Sequence, residues 1–268
     1  MQPVSLSQAI DFARLCQGLE VLSLNTLVKQ YGAFKITNHG ISSRARNGCF
    51  AYSKSAFERP NNLKSADPAF SPLKGETVRG TAIPKESLNI AKDKLGNYPP
   101  VQTLHKELKD FTPRLLEGLS QTLRLEPSLN SLCTNGEVEI ALHHYPNITA
   151  VPERNPEHRD WSLLTLLLHE DTGISNGLEV AELPGRKFTP VDPGNGEITV
   201  LVGSMLRRLA KYYCWEDIPS CVHRVSGTGE RYSIAYFLHI NDSTRLAEDG
   251  TTAGDIRRMW ETQSKVKN

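Results

Sequence analysis

His158, Arg159 and Asp160 set an imidazole and a carboxylate two residues apart. On an extended chain alternate side chains share a face, so His158 and Asp160 can reach one point while Arg159 turns away. A third donor is available from His223, in the stretch Cys221-Val222-His223-Arg224-Val225, which reads as a separate strand. Two histidines and one carboxylate cover one face of an octahedral ion and leave three positions open. That set suits an iron(II) ion that must also bind dioxygen and a bidentate oxo-acid. A His-x-Asp pair alone is a weak signal. His-Arg-Asp is also the catalytic triplet of protein kinases, but no asparagine stands five residues after Asp160, and DFG and a glycine-rich loop are missing.

Arg231-Tyr232-Ser233 follows one strand after His223. Arg231 and Ser233 share a face, and a guanidinium beside a hydroxyl can grip a carboxylate at two points and add a third bond. Tyr145, closing the run Glu137–Tyr145, could add a phenolic donor. Taken singly, Arg231 is a surface ion-pair residue and Tyr145 a strand-end packing residue; together they describe an anion clamp. Trp161, beside Asp160, is either core or a substrate wall. His39 is expected to shape a turn; His169, after the Leu163–Leu168 strand, could border the pocket, though a structural role is the expected one.

These side chains need strands to aim them. Beyond Gly136 short apolar or alternating runs follow one another: Glu137–Tyr145, Ser162–Leu168, Leu178–Ala181, Ile198–Val202, Val222–Val225 and Tyr232–His239. Their spacing predicts a β-sandwich or barrel. The first half reads mainly as helix. Ser5 is a candidate cap for a segment carrying Ile10, Phe12, Ala13 and Cys16, and a second helix is predicted from Ser42 to about Glu58. A strand over Ala33–Thr37 lies between them. Residues 61–100 show little periodicity and read as a lid or long surface excursion. Leu104, Leu108, Phe111, Leu115, Leu119 and Leu123 repeat at helical spacing, with Pro113 a candidate kink or break. The expected organisation is a single domain: a mainly helical part over 1–135, a β core over 136–240, and a tail or helix over 241–268.

Composition leaves room for a sizeable core, with 38% hydrophobic and 23% charged residues. Thirty-one basic side chains against 30 acidic ones offer no electrostatic reason to expect nucleic acid or an anionic membrane. Five cysteines at irregular spacing, with no CxxC pair, suggest reduced thiols in a cytoplasmic protein. The amino terminus does not read as a secretory signal, and no apolar run is long enough to span a bilayer. Nothing in the sequence speaks to oligomeric state.

The chain resembles the iron(II)/2-oxoglutarate-dependent dioxygenases of the isopenicillin N synthase type. Matching stretches run in family order: Tyr31 to Ile41, His144-Tyr145-Pro146, His158-Arg159-Asp160 through Leu167, and Gly177-Leu178-Glu179-Val180. Gly203-Ser204-Met205-Leu206, His223-Arg224-Val225 and Arg231 to Phe237 follow. The resemblance implies a double-stranded β-helix, or jelly roll, with iron at His158, Asp160 and His223. It implies 2-oxoglutarate held by Arg231, Ser233 and Tyr145, with Phe237 facing the substrate pocket. Family chemistry splits the oxo-acid to succinate and carbon dioxide and oxidises an unactivated C–H bond of a small molecule, by hydroxylation, desaturation or ring closure.

Two departures stand out. His143, a candidate pocket residue, occupies a position where the family often has asparagine: either it donates to the oxo-acid in that residue's place, or the oxo-acid is held differently and His143 is a histidine satisfied within the barrel. The segment between Gly203 and His223 is longer than usual, with Cys214-Trp215-Glu216-Asp217 in place of an Asn-Gly turn. The competing expectations are an iron oxidase of the same fold that needs no oxo-acid, and a non-catalytic binding module. All three ligand positions being intact speaks against the module.

Overall fold

The computed structural model describes residues 6–78, 80–134, 137–147, 153–170, 177–192, 194 and 196–265. In chain order the strands are β1 (Ala9–Asp11), β2 (Ala33–Thr37), β3 (Phe70–Ser71), β4 (Thr77–Val78), β5 (Thr81–Ala82), β6 (Glu86–Ala91) and β7 (Val138–Tyr145). There follow β8 (Glu153–His158), β9 (Leu164–His169), β10 (Leu178–Ala181), β11 (Phe188–Pro190), β12 (Ile198–Val202), β13 (His223–Ser226) and β14 (Arg231–Leu238). The helices are α1 (Phe12–Cys16), α2 (Val21–Tyr31), α3 (Ser43–Phe57), α4 (Asn61–Lys64), α5 (Pro99–Leu123), α6 (Ser204–Tyr212) and α7 (Ala253–Lys265).

Two sheets make the jelly roll. The major one runs β1-β2-β12-β9-β14-β7-β6-β3 and the minor one β11-β10-β13-β8, while β4 and β5 form a separate ribbon. Period-2 alternation sorts the major sheet's side chains. Ile140, Leu142, Leu166, Leu168, Ile198, Val200, Ile234 and Tyr236 are buried on one face. The other face carries His143, Tyr145, Thr165, Leu167, Arg231, Ser233 and Phe237 and lines a cavity.

Helix α3 packs against β7 and β14, and α5 packs against α1, α2 and α3. The α5 stripe Val101, Leu104, Leu108, Phe111, Leu115 and Leu119 is fully buried, each side chain contributing about 1.5–3 kcal/mol by leaving water. That burial spans both sides of Pro113, and the helix runs unbroken through it for 25 residues.

Several sequence expectations are corrected. Ser5 lies outside the described residues. The helix beyond it starts only at Phe12, capped by Asp11, whose carboxylate accepts from the Arg14 amide at 3.0 Å. Residues 61–100 are no plain excursion, because Glu86–Ala91 forms a full strand pairing with β7. The part before residue 136 is therefore not simply a helical wrap: β1 and β2 extend one edge of the major sheet, β6 and β3 the other. Ser42 does cap α3, accepting from the Ala45 amide at 3.1 Å. His39 does shape the turn after β2, its Nδ1 accepting from the Ile41 amide at 3.0 Å.

Candidate active site

A cavity of about 310 Å³ lies between the two sheets. Its minor-sheet wall carries His158 and His223, which the β8–β13 register sets directly opposite each other, with ring centroids 4.2 Å apart. Asp160 follows β8, and its Oδ1 stands 3.7 Å from Nε2 of both histidines. One donor atom from each residue lies within 4.8 Å of the others, close enough to share one ion. The Asp160 backbone is pinned, its carbonyl accepting from both the amide and the hydroxyl of Ser204 at 2.8 Å. Gly203 permits that approach, since a Cβ there would sit 1.8 Å from the Ser162 carbonyl oxygen.

Protonation favours metal binding. The Nδ1–H of His158 donates to the Pro156 carbonyl at 2.7 Å, which leaves its Nε2 lone pair toward Asp160. Burial, helped by the neighbouring His158, pulls the His223 imidazole down to about 4, so it is neutral at pH 7.

The major-sheet wall carries the anion donors. Arg231 pairs in register with Tyr145, and Ser233 with His143. Arg231 is buried, and its Nε and the Ser233 hydroxyl have no partner among the described residues. The Arg231 guanidinium lies 4.9 Å from the centre of the Tyr145 ring. A second buried guanidinium, Arg154, lies 5.2 Å from the same ring, donating to the carbonyls of Gly229 and Pro146. Two buried cations with no carboxylate paired to either among the described residues make a strong demand for an anion.

His143 is backed by β6. Its Nδ1 lies 3.0 Å from the Ser87 hydroxyl and 3.4 Å from the Lys85 ammonium. Burial and the nearby Lys85 push its pKa well below the usual value. An ammonium can only donate, so Nδ1 accepts and the neutral ring carries its proton on Nε2, a donor. His169, on the other side of Ser233, is 3% exposed and does not line the cavity; its Nε2 contacts the Thr199 hydroxyl at 3.0 Å.

Of the sequence-predicted residues, His158, Asp160, His223, Tyr145, Arg231, Ser233, His143 and Phe237 share this cavity. Trp161 does not. It lines a separate depression with His239 and Arg257 and packs against the core. The sequence reading missed Arg154, Asn155 and the β6 wall of Lys85, Ser87 and Asn89. For β6 the signal was present: Ser87-Leu88-Asn89-Ile90 alternates polar and apolar, with Leu88 and Ile90 buried.

A sequence profile described as the 2OG-Fe(II) oxygenase superfamily matches residues 137–240, the stretch holding both walls' principal donors. Residues 137–240 thus form a 2OG-Fe(II) oxygenase domain. This 2OG-Fe(II) oxygenase is a dioxygenase with Fe(II) as its metal and 2-oxoglutarate and dioxygen as co-substrates. It is 29% identical to gibberellin 3-beta-dioxygenase 4 of Arabidopsis thaliana, over 94% of this chain and 77% of that protein. It is 28% identical to the proline hydroxylase buaE of Petromyces alliaceus, over 81% and 80%. The fold matches a 2OG-Fe(II) oxygenase family protein from Caulobacter crescentus at TM-score 0.78 and 20% identity, covering 95% of this chain and 98% of that one. It also matches a Neurospora crassa protein in complex with alpha-KG and thymine, at TM-score 0.75 and 22% identity, covering 95% and 96%. Among the described residues no helix is long and apolar enough to cross a membrane.

Proposed function

We propose that His158, Asp160 and His223 hold the iron and that Arg231, Ser233 and Tyr145 hold the distal carboxylate of 2-oxoglutarate. His143 donates to the same co-substrate from Nε2, and Phe237 borders the substrate. Bound iron and oxo-acid supply oxidising power from dioxygen, with succinate and carbon dioxide as products. The chain's own residues orient the oxo-acid and enclose the reacting C–H bond. The substrate is a small molecule of specialised metabolism, as the relatives' names suggest, hydroxylated, desaturated or cyclised at an unactivated carbon. We place the enzyme in the cytoplasm, with neither nucleic acid nor membrane as partner, in line with its near-neutral charge. Residues 6–265 act as one domain built around this cavity.

The observation that carries the reading is the buried Arg231, whose Nε lies beside the Ser233 hydroxyl, both without a partner among the described residues, in the same cavity as the three metal donors. The oxo-acid is the anion that both walls require together. Anaerobic titration with iron(II), with and without 2-oxoglutarate, tests it. A weak visible charge-transfer band is expected only when both are present. A band that forms equally well in Arg231→Gln would show that the oxo-acid is held elsewhere.

A further inference from the structure

The segment between Gly203 and His223 builds a second pocket outside the barrel. Helix α6 buries Met205, Leu206, Leu209 and Ala210 and leaves Arg207, Arg208 and Lys211 exposed. Residues three and four apart are neighbours on a helix, so these like charges repel. Among the described residues, none of the three forms an ion pair. They line a pocket of about 480 Å³ together with Arg159, Ser204, Trp215, Asp217 and Ser220.

Arg207, Arg208 and Lys211, with Arg159 beside them, face one carboxylate there, in a protein whose formal net charge is only +1. Glu216, next to Trp215 in the chain, is taken by Lys29 at 2.6 Å. Trp215 is fixed as a wall: its Nε1 donates to the Glu126 carbonyl at 2.8 Å and its ring stacks on Tyr213 at 5.2 Å. A solvated basic helix face would need none of this. Ser220 separates the two cases, because it is 2% exposed and its hydroxyl has no partner among the described residues. A buried hydroxyl left unbonded in a cationic pocket lacks an acceptor.

We propose that this pocket is a second anion site, taking the phosphate groups of a small phosphorylated ligand. Arg159, Arg207, Arg208 and Lys211 supply charge, and Ser220 supplies a hydrogen bond. A single carboxylate carries too little charge to match the excess of cations. A phosphate group carries about −1.5 to −2 near neutral pH, so a diphosphate matches it. Guanidinium forks suit its oxygens.

The test is calorimetric titration of inorganic pyrophosphate into the iron-free, full-length protein at low ionic strength. One-to-one binding is expected. It should persist in Arg231→Gln, which disarms the clamp inside the barrel, and weaken by about tenfold or more in Arg207→Glu/Lys211→Glu. Ser220→Ala should weaken it about threefold or more. That variant is the sharpest arm, since a diffuse cationic surface would not register the loss of a neutral hydroxyl. Lys106→Glu, an exposed reversal on α5, should leave binding unchanged. Circular dichroism verifies that each variant is folded. The proposal is overturned by any of three results: no saturable binding, binding abolished by Arg231→Gln but indifferent to the α6 reversal, or wild-type affinity in Ser220→Ala.

Discussion

The two walls of the cavity hold their chemistry differently. On the minor sheet, three donors converge on one point from two short pieces of chain, and β8, which ends in His158, is an edge strand whose pairing with β13 shifts register twice. On the major sheet, β7 and β14 are each eight residues long and paired on both sides. One of their polar side chains, His143, is backed in turn by Ser87 and Lys85. One wall rests on three atoms with no substitute, whereas the other distributes one task over several donors. The first should fail completely when touched and the second by degrees.

The largest effect follows on the minor sheet. Asp160→Ala or His223→Ala should abolish turnover and iron(II) binding while circular dichroism stays that of the wild type. Loss of one ligand leaves two donors for an ion that prefers three fixed ones. Turnover at the wild-type rate in purified Asp160→Ala would remove the metal from this wall.

The same contrast explains what was legible in the sequence. His158 and Asp160 stand two apart, and the strands bearing His223, Arg231 and Ser233 alternate cleanly, so residue type and period were enough to group them. The strand β8 was not foreseen, because Glu153-Arg154-Asn155-Pro156-Glu157 has no apolar alternation and contains a proline. An edge position tolerates both. Arg154 was hidden with it. Trp161 was undecided for a related reason: it lies in a bend between β8 and β9, where no period sets a side chain's direction. The 61–100 segment was read by its Pro and Gly content, which masked the six residues of β6. Pairing with β7, a long-range contact, stabilises that strand more than local pattern does.

On the major sheet the effects should be graded. Arg231→Lys keeps the charge and loses the planar fork, so the KM for 2-oxoglutarate should rise about ten- to a hundredfold, the worth of one charge-assisted bond. Steady-state kinetics with 2-oxoglutarate as the varied substrate reads this directly. An unchanged KM would separate Arg231 from the oxo-acid. His143 should matter less, because it contributes one neutral donor. His143→Asn should stay near wild type, and His143→Leu should lose roughly two- to tenfold in kcat/KM for 2-oxoglutarate. Equal values for both variants would make His143 a packing residue only.

The smallest effect tests whether the major-sheet wall is in fact layered. Ser87 is fully buried and lies 3.0 Å from His143 Nδ1, but its single proton is also claimed by the Glu76 carboxylate. Lys85 has three protons and reaches the same Nδ1 as well as Glu76. Ser87→Ala should therefore leave the His143 tautomer intact and change kcat/KM for 2-oxoglutarate only about twofold, below the loss of a full neutral bond. A double-mutant cycle gives this small number its meaning. If Ser87 acts through His143, the Ser87→Ala loss should disappear in the His143→Leu background, where no ring nitrogen remains to orient. The same loss in both backgrounds would place the serine's effect on Glu76 and the substrate side of the cavity. The anion wall would then be one layer deep, and as exposed to single changes as the metal wall opposite.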